Sequence, residues 1–129
     1  MLEFIRSRIA SFGHAFRGWW YVLRTQKNAW IHAFISTAVI LVALWLNLSA
    51  HDWVFLIIVI AMVWSAEFFN TSIEAVVDLA SPTHHPLAKV GKDVGAAAVL
   101  IAAGAAMIVG LLVLGPPLWQ RVSGYIFVR

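Results

Sequence analysis

The sequence predicts an all-α integral membrane protein with an N-terminal interfacial amphipathic helix and three transmembrane helices. Three observations carry that reading. Of 129 residues, 62% are hydrophobic and 12% charged, and the mean hydropathy is +0.87, far more apolar than a soluble domain of this size. Three apolar runs are each long enough to cross a hydrocarbon core about 30 Å thick. Ahead of them lies a stretch whose apolar residues recur at helical spacing between charges. The whole chain, 1–129, reads as a single membrane domain, so thin that self-association is expected.

Residues 1–26 form the interfacial helix. Leu2, Ile5, Ile9, Phe12, Phe16, Trp19 and Leu23 recur every three or four positions, while Glu3, Arg6, Arg17 and Arg24 fall largely on another face. A basic amphipathic helix lies in the headgroup region, apolar side down. The charges interrupt the apolar residues too often for a signal peptide.

The first spanning helix covers 29–48 and is apolar apart from His32 and a few hydroxyls. A short turn at 47–52 is bracketed by Trp45 and Trp53, as in an interfacial aromatic belt. The second helix covers 53–80. Ser81-Pro82-Thr83-His84-His85-Pro86 breaks it with two prolines. The third helix covers 87–114, and Gly115-Pro116-Pro117 is expected to end it, leaving a tail at 115–129. This helix is rich in Gly and Ala, which let helix backbones approach closely in lipid.

Basic residues set the orientation. Arg6, Arg8, Arg17, Arg24 and Lys27 precede the first span, and Lys89 and Lys92 follow the second, whereas 47–52 has neither Lys nor Arg. The positive-inside rule therefore places the N-terminus and 81–93 in the cytoplasm, with Arg121 and Arg129 outside as a mild exception. The net charge of +3 is read this way and not as a nucleic-acid signal. The absence of cysteine removes disulfides, thiolate metal sites and a cysteine nucleophile.

The chemistry concentrates in Glu67-Phe68-Phe69-Asn70-Thr71-Ser72-Ile73-Glu74-Ala75-Val76-Val77-Asp78. Glu67, Asn70, Glu74 and Asp78 are spaced by three, four and four residues, which puts them on one stripe of one helix. At ~1.5 Å per residue, Glu67 lies roughly 21 Å beyond Trp53, still within the membrane, with Asp78 in water. A carboxylate at that depth is costly and faces a bundle interior or a polar cavity. As a mere interhelical seam the stripe would return only about 0.6–2 kcal/mol per contact. It suits a proton relay, a cation site or a catalytic constellation opening to the cytoplasm. Hard carboxylate and amide oxygens suit Mg²⁺, a carboxylate within reach of a hydroxyl suits general-base work, and Lys92 beside Asp93 at a helix start suits a phosphate. There is no P-loop and no GxGxxG motif, so spacing alone does not establish phosphoryl transfer. The other readings are a small oligomeric ion or proton channel lined by Glu67, Glu74 and Asp78, and an assembly scaffold built on the Gly/Ala seam.

The same residues resemble the signature of the prokaryotic diacylglycerol kinase family, which includes undecaprenol kinases. The likeness runs on through His85-Pro86-Leu87-Ala88-Lys89-Val90-Gly91-Lys92-Asp93, and it includes Ser11 to Gly18 and Asn28 to His32, covering nearly all of 4–114. It implies a homotrimer in the bacterial inner membrane that transfers the γ-phosphate of MgATP to a lipid hydroxyl in phospholipid or lipid-carrier recycling. By position, the likeness makes Glu67 the catalytic base, with Asn70 beside it at the lipid substrate. Glu74 matches a metal-binding carboxylate, Lys92 the phosphate-binding lysine, and Asp78 and Asp93 nucleotide-site acids. Thr83, His84 and His85 match the loop bordering ATP. Gln26 departs from the pattern, standing where many members have a second metal-ligating Glu, and its amide oxygen is expected to reach the metal and nucleotide without charge. The His85-Pro86-Leu87-Ala88-Lys89 wording is more similar to the undecaprenol branch, so undecaprenol is the favoured acceptor and diacylglycerol the alternative.

Overall fold

The computed structural model describes residues 1–83 and 85–126; His84 and Arg129 lie outside the described residues. The chain forms four helices: α1 (Leu2–Thr25), α2 (Lys27–Leu46), α3 (Ala50–Ala80) and α4 (Pro86–Ile126). Among the described residues there is no strand. By length and composition α2, α3 and α4 can each cross a membrane, as the three apolar runs predict.

Each junction has a local cause. A single residue separates α1 from α2: Gln26 is extended, with φ −104° and ψ 115°, and its N–H still reaches Val22 O at 2.9 Å. Neither Gly nor Pro is involved. After α2, Asn47 takes the left-handed conformation, with φ 52° and ψ 51°, which Asn tolerates better than most residues. Ser49 then caps α3. Its Oγ accepts from the Asp52 N–H at 3.2 Å and donates to Asp52 Oδ2 at 2.7 Å. This reciprocal cap draws Ala50, His51 and Asp52 into the first turn of α3, so the turn is shorter than the sequence suggests. The Ser81 break is where the prolines place it.

The core lies between α3 and α4, with α2 against both. Leu56, Val59, Val63, Glu67 and Asn70 are buried on α3. They form one stripe that starts aliphatic and turns polar. Gly95, Val99 and Ala102 bury the facing side of α4, and Gly91 lies in van der Waals range of Val77. On α1 only Val22 is buried. Ile9, Phe12 and Phe16 stay exposed.

One boundary departs clearly from expectation. Gly115-Pro116-Pro117 does not end the third spanning helix, because α4 continues through both prolines to Ile126. Proline removes an N–H and crowds the carbonyl one turn earlier, here those of Leu112 and Val113. Spanning helices tolerate this where neighbours re-satisfy the freed groups. The continuation is also held from outside: the Arg121 guanidinium donates to Trp45 O at 3.3 Å and lies 5.5 Å over the Trp45 ring, tying the end of α4 to α2.

Candidate active site

The α3 stripe grades from buried to exposed. Glu67 is fully buried and Asn70 nearly so, Glu74 is half-buried, and Asp78 is exposed. Thr71 Oγ1 bonds back to Glu67 O at 2.8 Å within the helix. Both carboxylate oxygens of Glu67 lack a hydrogen-bond partner among the described residues, and so does Asn70 Oδ1. A carboxylate buried without donors is an expensive arrangement unless another group completes it.

Glu74 is by contrast clasped from two sides. Gln26 Nε2 donates to Oε2 at 2.9 Å, and Asn70 Nδ2 donates to Oε1 at 3.1 Å. The extended Gln26 at the α1–α2 break thus reaches across to α3. Asn70 depends in turn on α4. A Cβ added at Gly95 would lie 2.5 Å from Asn70 Oδ1, so only glycine leaves the amide its room.

Nearer the helix ends, Lys92 Nζ on α4 meets Asp78 Oδ1 on α3 at 2.5 Å, and Lys89 pairs with Asp93 one turn along α4. His85 Nδ1 accepts from the Leu87 N–H at 3.2 Å and Thr83 O from the Ser81 hydroxyl at 2.9 Å. Both His85 and Thr83 are exposed. The structure therefore brings Gln26, Asn70 and Glu74 into one hydrogen-bonded group, with Glu67 a turn deeper. It brings Lys92 to Asp78 as a separate pair, and leaves Thr83, His85 and Asp93 at the open end.

Two features of this site were given no role from the sequence. His32 on α2 places Nε2 3.8 Å from Glu67 Oε2, and that nitrogen is also buried without a partner. The signal was present: His32 is the one titratable side chain in an otherwise apolar span. The second feature is an aromatic wall. Trp19 of α1 packs its ring 4.7 Å from those of both Trp64 and Phe68, and Trp64 stands edge-on to His32 at 6.5 Å. The spacing on α1 shows an apolar face but not which helix receives it.

A divalent cation fits the donor set in part. Among the described residues no three His, Asp or Glu side chains converge. Glu74 nevertheless offers a carboxylate between two amides, and turning the Gln26 amide over would present its oxygen instead of its nitrogen. One carboxylate with neutral oxygens is what Mg²⁺ accepts when phosphates and waters supply the rest.

A wide cleft of about 560 Å³ opens at the other end of the bundle, between the 46–52 turn and Pro116, Pro117 and Gln120 of α4. It lies remote from Glu67.

The prokaryotic diacylglycerol kinase family matches residues 13–114, which contain every polar side chain of the candidate site described above. The chain belongs to that family. As a prokaryotic diacylglycerol kinase family member it is a membrane-embedded lipid kinase. It is 42% identical over 108 residues to the undecaprenol kinase of Bacillus subtilis, covering 84% of this chain and 88% of that one. It is 44% identical over 111 residues to a diacylglycerol kinase of Synechocystis, covering 85% of this chain and 63% of the relative. The Escherichia coli K12 diacylglycerol kinase is 38% identical over 101 residues, 73% of this chain and 83% of that one.

Proposed function

We propose that this lipid kinase transfers the γ-phosphoryl group of MgATP to a lipid hydroxyl at the cytoplasmic face of the bacterial inner membrane, as a homotrimer. Undecaprenol is the favoured acceptor and diacylglycerol the alternative. The observation that carries the reading is the fully buried, unpartnered carboxylate of Glu67, one turn of helix deeper than the Asn70–Glu74–Gln26 group. A channel lining would be exposed, and a structural seam would be hydrogen-bonded; neither accounts for a fully buried carboxylate with no hydrogen-bond partner among the described residues.

In this reading Glu67 accepts the proton of the lipid hydroxyl as that oxygen bonds to the γ-phosphorus and the bond to the departing ADP oxygen breaks. The aromatic wall of Trp19, Trp64 and Phe68 keeps water from the hydroxyl, which matters because water competes as acceptor. Glu74 and Gln26 would hold the Mg²⁺, which neutralises phosphate charge when bound. Lys92 leaves Asp78 for the phosphates, an exchange made easy by the exposure of that pair. Thr83, His84, His85 and Asp93 border the nucleotide. The α1 helix lies in the headgroup layer and admits the lipid from the side.

Phosphoryl transfer is mainly positioning and charge neutralisation, so the reading needs no further covalent chemistry from the protein. Label transfer from γ-labelled ATP in mixed micelles tests it, with undecaprenol and a diacylglycerol offered separately. Label in one lipid names the acceptor class. No label in either lipid from folded protein with Mg²⁺ would overturn it.

A further inference from the structure

We propose that His32 is a positioning residue for Glu67, holding one carboxylate oxygen so that the other is free to meet the acceptor hydroxyl. The inference rests on the lipid-kinase reading with Glu67 as base, and extends it to a residue on a different helix.

Three buried polar atoms from two spanning helices meet here without partners among the described residues: His32 Nε2, Glu67 Oε1 and Glu67 Oε2. The Glu67 side chain is 1% exposed and that of His32 13%. Their separation, Nε2 to Oε2 at 3.8 Å, is under an ångström longer than a hydrogen bond. Contacts at reacting groups commonly close by that much once substrate is bound. With the proton on Nε2, the imidazole donates to Oε2 and leaves Oε1 as the open acceptor. Without it, a carboxylate in this setting can swing between rotamers, and a general base works only within hydrogen-bond reach of its proton.

The surroundings favour such a pair. Trp64 flanks the imidazole edge-on, and Trp19 and Phe68 close over Trp64. An apolar shell strengthens a hydrogen bond to a carboxylate by excluding water. The other carboxylate on this face, Glu74, is already held by Gln26 and Asn70. Gln26 and Asn70 are thus engaged elsewhere, and His32 Nε2 is the group that faces Glu67 from α2.

The test uses the full-length protein in mixed micelles with MgATP and the acceptor that the wild type phosphorylates. His32→Ala is expected to lower kcat by about tenfold or more, the loss of a hydrogen bond to a charged group, with KM for ATP and lipid within about twofold. His32→Gln keeps an N–H at similar reach and is expected to restore most of kcat. In a Glu67→Gln background, His32→Ala should have no further effect. Undiminished kcat in His32→Ala would overturn the proposal. So would equal losses in His32→Ala and His32→Gln that track a fall in Tm, which is the mark of a packing role. Both outcomes leave the kinase reading standing, because the wild type still transfers label. A wild type that transfers none removes that reading, and His32's role with it.

Discussion

Gln26 donates from Nε2 to Glu74 Oε2 at 2.9 Å, joining residues 48 apart in the chain. The contact links the break between α1 and α2 to the half-buried acid of α3. It gives Glu74 a neutral donor from outside its own helix. An amide can donate to Glu74, whereas a second carboxylate could not.

Gln26→Glu should therefore have two opposite effects. Without divalent metal, two carboxylates would face each other between the α1–α2 break and α3, and Tm should fall, since like charges at this range repel. With Mg²⁺ the Tm should recover, and the Mg²⁺ concentration for half-maximal rate should drop below the wild-type value. Thermal unfolding across a Mg²⁺ titration measures the first effect without any assay of turnover. Identical metal dependence in the two proteins would show that residue 26 does not reach the metal.

Gly95→Ala tests how Asn70 is held. The added methyl would come within 2.5 Å of Asn70 Oδ1, and the amide cannot retreat without loosening its bond to Glu74 Oε1. Overpacking of this kind costs typically about 1–3 kcal/mol. Turnover should fall with stability, and Gly91→Ala, whose nearest atom is Val77 Cγ2 at 3.7 Å, should be much milder. Equal effects at the two glycines would contradict the account.

How far the sequence determined this site differs from residue to residue. The stripe through Glu67, Asn70, Glu74 and Asp78 was readable because helical periodicity maps spacing directly onto a face. The Ser81 break was readable from its prolines. Local signals failed where a tertiary contact decides. Beyond Pro116 and Pro117, α4 continues and Arg121 meets Trp45, and Ser49 extends α3 backward through its cap. No periodicity on α2 could show that His32 faces Glu67, because the partner lies on another helix. The packing of Trp19 against Trp64 and Phe68 was hidden for the same reason.

Lys92→Ala separates binding from folding. Its pair with Asp78 is largely exposed, so the loss in stability should stay within about 1 kcal/mol. If Lys92 moves to the phosphates in the working enzyme, KM for ATP should rise by about tenfold or more, in line with a lost charge-assisted contact. A normal KM for ATP would leave Lys92 as a helix-end ion pair only.

Arg121→Ala is the matching control at the far end. It removes the guanidinium from Trp45 O and the Trp45 ring, and the cation–π contact alone is worth about 0.5–1 kcal/mol at an exposed site. Tm should drop slightly while kcat and both KM values stay put. A large fall in kcat would mean that the end of α4 is coupled to the site in a way the structure does not predict.

Glu67→Gln tests most directly whether Glu67 is the base. The substitution keeps size and replaces a fully buried carboxyl group with an amide that cannot take the proton. Label transfer from γ-labelled ATP to the acceptor lipid should fall by about a hundredfold or more, the usual contribution of a general base, in a protein that remains folded. Transfer at a near-normal rate would contradict the account and return Glu67 to the role of a buried link between helices.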